Sequence, residues 1–147
     1  MGRVLAIDFG TKRSGLAVTD PLRLIANGLE TVATHKLMEY LNEYVKKEGV
    51  DTFVVGLPLQ ENGGLSANAI HVKAFRKKLQ NSFPSIPIFQ VDERFTSKMA
   101  FQTLIDSGVT RKKRREKGVI DKISAILILQ TYLETLEFKS DTDKNKP

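Results

Sequence analysis

At 147 residues, with 41% hydrophobic and 27% charged composition, the chain has the size and balance of one globular domain. No apolar run approaches the roughly 20 residues that cross a bilayer, and the start of the chain does not resemble a signal peptide, so we expect a cytoplasmic protein without membrane contact. The absence of cysteine excludes disulfides, thiolate metal sites and a cysteine nucleophile. The net charge of +6 favours a polyanionic partner such as nucleic acid.

The first elements are predicted to be strands of a hairpin. Residues 4–7 form an apolar run that suits a buried central strand, and the run stops at a polar turn over residues 8–13. Residues 14–19 predict the second strand, and Asp20-Pro21 closes it. A weaker third strand is expected near residues 28–32.

Helices and strands then alternate. Apolar spacing predicts a first helix that ends at Gly49, a buried strand over residues 52–55, a second helix capped by Ser66, and a strand over residues 88–91. The first helix carries Leu37, Leu41, Tyr44 and Val45, and the second carries Ala69, Val72, Phe75 and Leu79.

The last part of the chain predicts two more helices. One spans about residues 96–106, and a long one opens at residues 120–122. Residues 139–147 form a polar tail that cannot bury enough surface to order itself. Because strands that alternate with helices return by right-handed crossovers, we expect an α/β fold with a mixed sheet flanked by helices, followed by a disordered tail.

Three carboxylates stand at the ends of predicted elements and are the candidate catalytic residues. Asp8 ends the central strand, Glu93 ends the last strand, and Asp121 lies in the predicted first turn of the last helix. Three carboxylates about 5 Å apart would repel by roughly 3 kcal/mol per pair at an effective dielectric of 20. Divalent cations remove this repulsion, and two Mg²⁺ ions can activate a water and stabilise a leaving oxygen of a phosphodiester.

Each acid also has a structural interpretation. Asp8 could begin a turn, Glu93 could pair with Arg94 or a nearby lysine, and Asp121 could serve only the helix dipole. Asp92 replaces Glu93 if the strand register differs by one residue. The two histidines, His35 and His71, lack a useful ligand spacing and are expected at surface or boundary positions of helices.

Clustered cations are the candidate nucleic-acid contacts. Five consecutive cations precede Asp121 and, beside a metal site, would contact phosphates without reading bases. A solvated charged surface is the alternative. The candidate contacts are Lys12, Arg13, Arg94, Arg111, Lys112, Lys113, Arg114, Arg115 and Lys117.

Four sequence blocks, in this order, resemble the YqgF/RuvX family of RNase H-like proteins. They are residues 7–20, 55–58, 92–96 and 120–130, beginning with Ile7-Asp8-Phe9-Gly10-Thr11. The resemblance implies an RNase H-like five-stranded sheet in a nuclease domain over residues 1–138. It also implies that Asp8, Glu93 and Asp121 bind magnesium or manganese, and that the protein resolves DNA junctions or trims ribosomal RNA precursors.

The main hypothesis is therefore a metal-dependent endonuclease that acts on branched DNA or structured RNA, as a monomer or a homodimer. One alternative is a nucleic-acid-binding protein whose RNase H-like site is vestigial. Another is a nucleotide-binding ATPase, because Asp8-Phe9-Gly10-Thr11 is similar to the phosphate loop of actin-like ATPases, although those need two lobes.

Overall fold

Five strands form one mixed sheet. They are β1 (Arg3–Asp8), β2 (Arg13–Thr19), β3 (Ala26–Ala33), β4 (Val50–Leu57) and β5 (Ile88–Asp92). The computed structural model describes residues 2–57, 69–92 and 117–144, with only the backbone of residues 92, 117–120 and 136–144. The strand order is β3-β2-β1-β4-β5. β1 pairs antiparallel with β2, β2 antiparallel with β3, and β4 and β5 run parallel to β1. The strand β1 therefore lies at the centre of the sheet. The predicted mixed sheet is confirmed.

Three helices flank this sheet among the described residues. They are α1 (Leu37–Glu48), which follows a 3₁₀ turn at Thr34–Lys36, α2 (Ala69–Ser82) and α3 (Lys117–Lys144). The predicted end of α1 is confirmed, since Gly49 adopts a left-handed φ of 65° and its N–H donates to the Val45 carbonyl. No helix in the described parts of the chain is both long and apolar enough to traverse a lipid bilayer.

Large side chains fill the layer between the sheet and helices α1 and α2. Phe53 of β4 is fully buried there and its ring packs against Phe83, with ring centroids 5.3 Å apart. The helices contribute the residues expected from their apolar spacing. The layer includes Leu5, Ile7, Leu16, Val18, Leu37, Leu41, Val55, Val72, Phe75 and Leu79.

In the opposite layer, beneath α3, the described strand residues contribute only valine and alanine side chains to the buried cluster. Ala6 and Ala17 of the sheet face Ala125 of the helix, and all three are fully buried. Because these side chains end at Cβ, the helix backbone lies close to the strands. Val4, Val54, Val91, Ile128, Leu129 and Tyr132 complete this second core.

The helix α3 departs from the sequence prediction at its start. It begins at Lys117, three residues before the predicted opening at residues 120–122. Its backbone continues to Lys144, into the segment for which a polar tail was predicted. The domain limits of 1–138 and 139–147 stay a prediction. The Ser66 cap and the predicted helix at residues 96–106 lie outside the described residues.

Candidate active site

Asp8 is the last residue of the central strand and lies on the α3 side of the sheet. Side chains alternate along a strand, and Val4 and Ala6 of β1 pack beneath α3 whereas Leu5 and Ile7 face the other layer. The same alternation places Asp8 with Val4 and Ala6. Across the antiparallel pair, Asp8 stands opposite Gly15 of β2.

Gly15 is also the place where α3 touches the sheet. A Cβ built on Gly15 would lie 2.1 Å from the carbonyl oxygen of Asp121 and 2.4 Å from its carbonyl carbon. Only a glycine leaves room for the helix backbone at this point. Asp8 and Asp121 are therefore both immediate neighbours of Gly15 on one face of the sheet, although 113 positions separate them in the sequence.

The side chain of Asp121 meets a cation from the neighbouring strand. Arg13 Nε donates to Asp121 Oδ2 at 3.4 Å, and the two side chains are 39% and 28% exposed. Both groups therefore remain accessible to a ligand that approaches from solvent. The predicted contact residue Arg13 thus lies directly beside one of the predicted acids.

The interpretation that Asp121 serves only the helix dipole is wrong. It assumed that Asp121 lies in the first helical turn, but the first turn of α3 contains no acidic residue because the helix begins at Lys117. The unpaired N–H groups that make a helix start attractive to anions lie one turn earlier. The position of Asp121 against Gly15 therefore needs another reason.

A network of hydroxyl groups fixes the loop after Asp8. Ser14 is fully buried, and its Oγ lies 2.9 Å from Thr34 Oγ1. Thr34 donates from that hydroxyl to the Gly10 carbonyl at 2.6 Å, and its backbone N–H donates to the Lys12 carbonyl at 3.0 Å. The loop that leaves the central strand is thus held by β2 and by the turn before α1.

The donor groups at this place fit a divalent cation. Asp8 and Asp121 supply carboxylate oxygens, which are the ligands that Mg²⁺ and Mn²⁺ prefer. One turn beyond Asp121, the Ser124 hydroxyl is buried and makes no hydrogen bond among the described residues. Within the described ranges no three acidic or histidine side chains cluster as potential metal ligands. The third predicted acid, Glu93, lies outside them.

The other predicted site residues divide into three groups. Lys12 is exposed at the tip of the first hairpin. Lys117 begins α3 and Asp92 ends β5, and only their backbones are described. Outside the described residues lie Glu93, Arg94, Arg111, Lys112, Lys113, Arg114 and Arg115.

Helix α2 carries a basic surface that the sequence analysis missed. Its 14 residues include four cations and no acid, and none of these cations forms an ion pair within the described parts of the chain. Three of the cations are exposed and Arg76 is half-buried. The spacing of i, i+3 and i+4 is a signal that could have revealed this surface. The four are Lys73, Arg76, Lys77 and Lys78.

Comparison with solved structures identifies the class of fold. Thermus thermophilus RuvC in complex with a Holliday junction substrate superposes with a TM-score of 0.56, covering 93% of this chain and 96% of that chain at 16% identity. A second Thermus thermophilus RuvC structure gives a TM-score of 0.53 at 15% identity, covering 92% and 96% of the two chains. This likeness shows an RNase H-like fold. Together with the mixed five-stranded sheet, it places this chain in the RNase H-like fold class.

The chain belongs to the RuvX family, described as Holliday junction resolvase, whose family model matches residues 2–135. A relative from Porphyromonas gingivalis is 52% identical over 134 residues, 91% of this chain and 97% of the relative. One from Flavobacterium johnsoniae is 49% identical over 138 residues, 94% and 100% of the two chains. Both relatives are named "Putative pre-16S rRNA nuclease". Family membership confirms the predicted nuclease class and implies a reaction on nucleic acid that depends on divalent metal.

Proposed function

We propose that this chain is an endonuclease that cleaves phosphodiester bonds in structured nucleic acid, with Asp8, Asp121 and Glu93 holding two Mg²⁺ or Mn²⁺ ions. The observation that carries the proposal is the contact of Gly15 with both Asp8 and Asp121 on one face of the sheet. Glu93 is assigned from the family resemblance. It directly follows Asp92, the last residue of β5, in the sequence.

Divalent ions bound at these acids would supply an activated water and stabilise the charge that develops on the phosphodiester. The chain itself holds the two acids at a fixed separation, because β1 and α3 are both packed in the second core. Rigid elements position reacting groups better than loops do. The neighbouring loop is fixed by Thr34 and Ser14, so the approach to Asp8 has a defined shape.

Arg13 would take part in substrate binding. Its guanidinium compensates the charge of Asp121 in the described geometry, at 3.4 Å, and a metal ion at Asp121 would compete for the same oxygen. A displaced Arg13 could then bind a phosphate oxygen with two hydrogen bonds, as arginine does well. Lys12, next to it, extends the same cationic surface toward solvent.

The remaining predicted cations would contact phosphates of the nucleic acid. They are Arg94, Lys117 and the run at residues 111–115. Each phosphate contact that they make would add about −0.9 to the slope of log affinity against log salt on duplex DNA. Such contacts orient the backbone, so sequence preference must come from the shape of the substrate.

A ribosomal RNA precursor is the proposed substrate, and a four-way DNA junction is the second candidate. The names of relatives about 50% identical over nearly the whole chain favour the first, and the description of the family favours the second. We place the activity in the cytoplasm. Trimming an RNA end needs one active site, whereas resolving a two-fold junction needs a homodimer with two.

The test compares cleavage of both substrates by the wild type, Asp8→Asn and Asp121→Asn in Mg²⁺ or Mn²⁺. We expect each substitution to lower kcat by about two to three orders of magnitude, since each removes a charged ligand. Binding, measured by fluorescence anisotropy in EDTA, should change little. Asp51→Asn is the matched control because it makes the same chemical change at the opposite end of the sheet, where Asp51 binds Arg23.

Equal cleavage by the wild type and both acid variants would exclude these residues as catalytic. If the acid variants also support processing of the ribosomal RNA precursor in cells, that result would favour a nucleic-acid-binding protein with a vestigial site, because binding alone would then be sufficient. Charge-removing substitutions over residues 111–115 would in that case be the ones that abolish function.

A further inference from the structure

A cleft of about 410 Å³ opens at the same end of the sheet as Asp8, but on the opposite face. Phe9 and Thr11 of the loop after β1 form one wall. The turn before α1, with His35, forms the second wall, and the α2 residues His71 and Lys78 contribute to the third. The volume lies within the roughly 300–1,000 Å³ of small-molecule sites. Neither Asp8 nor Asp121 lines this cleft.

Two stacked aromatic rings form its apolar wall. The ring centroids of Phe9 and Phe75 are 4.8 Å apart with an angle of 22° between the planes. Phe75 is nearly fully buried, and Phe9 is half-buried and packs against the same core. The stack therefore anchors Phe9 from behind. A flat, rigid apolar surface of this kind suits the face of an aromatic heterocycle.

Polar and cationic groups form the rim of the cleft. Thr11, His35, His71 and Lys78 are all exposed and all line the opening. They supply hydrogen-bond donors and a positive charge around an aromatic wall. This combination of a stacking surface and a nearby cation is the arrangement by which proteins hold unpaired nucleotides.

The cleft lies close to the proposed catalytic acids, because Phe9 of the cleft directly follows Asp8 in the chain. Asp8 and Phe9 are consecutive, so their Cα atoms lie about 3.8 Å apart while their side chains are directed to opposite faces of the sheet. A strand whose phosphate lies at Asp8 can turn over the end of β1 and place a neighbouring nucleotide at Phe9. The hydroxyl network of Ser14 and Thr34 keeps the intervening loop in place.

The charge of α2 matches a polyanion at this face. Lys78 lines the cleft itself, and the helix has no acidic residue to repel a phosphate. The other three cations of the helix, Lys73, Arg76 and Lys77, line a separate pocket and would contact phosphates farther along the strand. A protein partner bound through apolar contacts would not need this charge. The surroundings of the cleft therefore favour nucleic acid as its occupant.

We propose that this cleft binds one unpaired nucleotide of the substrate, with the base against Phe9 and a phosphate near Lys78. The inference rests on the proposed function, since it assumes that nucleic acid is the substrate. It adds that the substrate must expose an unstacked base beside the cleavage position. A fully paired duplex would then bind through phosphates alone.

A tryptophan reporter tests this binding without catalysis. The chain has no tryptophan, so Phe9→Trp gives a single fluorophore in the cleft, and Phe89→Trp gives a matched one at a half-exposed aromatic position on β5. The probes are a short single-stranded oligonucleotide and its abasic counterpart of equal phosphate number, titrated in EDTA. We expect the base-containing probe to quench the tryptophan at position 9 but not the one at position 89.

Phe9→Leu is the second variant, because leucine keeps the contact with Phe75 but loses the flat stacking surface. The base-containing oligonucleotide should bind about tenfold more weakly to it than to the wild type, while the abasic one binds equally to both. Lys78→Gln should weaken both probes relative to Lys47→Gln, which removes the same charge from the end of α1.

Equal quenching by the abasic probe, or unchanged binding by Phe9→Leu, would overturn the proposal. Because all readouts are binding in the absence of metal, an inactive acid site would not alter them. The binding experiments therefore test the nucleotide-binding cleft, and the cleavage experiments test the proposed catalytic function, independently of each other.

Discussion

The two faces of the sheet are built from different side chains and serve different ends. Beneath α1 and α2 lie large residues such as Phe53 and Leu41, which bury much apolar surface. Beneath α3 lie Ala6, Ala17 and Gly15, which bury less but let the helix backbone touch the strands. The first face mainly supplies stability. The second face buries less apolar surface, but its small side chains allow Asp121 to lie at the end of the central strand.

This division predicts that stability and activity respond to different substitutions. A cavity in the large-residue layer should lower the free energy of unfolding without moving the acids. A methyl group added where the backbone of α3 meets the strands should move the acids even when the protein still folds. The expected effects below run from the largest to the smallest.

Leu41→Ala should cause the largest loss of stability. Leu41 is fully buried in the layer beneath α1, and such truncations cost about 2–5 kcal/mol. The activity of the folded fraction should stay close to that of the wild type. Urea denaturation and cleavage rates measured at low temperature check both statements. Leu24→Ala, at a side chain 73% exposed, should change the free energy of unfolding by less than about 0.5 kcal/mol.

Gly15→Ala should reduce activity more than its effect on stability would explain. The new Cβ would meet backbone atoms of Asp121, which cannot rotate away, so α3 must shift. We expect a destabilisation of about 1–3 kcal/mol and, because small displacements of catalytic groups are costly, a kcat about 100-fold lower. Melting temperature and single-turnover cleavage measure the two effects.

Gly28→Ala is the matched control for Gly15→Ala. Its Cβ would meet side-chain atoms only, Lys122 Cδ at 2.8 Å and Cγ at 2.9 Å and Ile126 Cδ1 at 3.2 Å, and these side chains can adjust without moving the backbone of α3. Near wild-type cleavage by Gly28→Ala is therefore expected. If Gly15→Ala also cleaved at the wild-type rate, the close approach of α3 would have no role in placing Asp121.

Asp51→Asn should have the smallest effect, and one that depends on pH. Burial raises the pKa of Asp51, but hydrogen bonds from Arg23, the Gly2 N–H and Thr52 outweigh it and hold the pKa below its usual value. A lowered folded-state pKa stabilises the protein above the unfolded-state pKa of about 3.9 and ceases to do so as pH falls through the folded-state value. The side chain is 40% exposed, so we expect at most about 1 kcal/mol.

Urea denaturation of the wild type and Asp51→Asn at pH 7 and pH 3 measures this effect. The wild type should be more stable at pH 7, and the difference should shrink at pH 3. A difference that grew on acidification would contradict the lowered pKa. The result would also show that this acid, at the other end of the sheet from Asp8, contributes to stability.

Local pattern predicted most of the elements. The apolar run before Asp8, the spacing of Leu37 and Leu41, and the glycine at position 49 each specify an element through neighbouring residues, so a sequence shows them directly. The start of α3 was placed too late, because the residues before Asp121 carry few apolar side chains to reveal the helical period. The histidines were correctly expected on helical surfaces, yet the sequence did not reveal that His35 and His71 line one cleft.

By itself, the sequence determined the order of most strands and helices, the position of Asp8 at the end of the central strand, and the family. Only the tertiary structure decided which distant residues meet: Asp121 against Gly15, Arg13 beside Asp121, and α2 beside the loop after β1. The physical reason is that local patterns report each residue's neighbours along the chain. Contacts between elements depend on strand register and on how closely a helix can approach a sheet. Here α3 can approach the sheet because Gly15 has no Cβ.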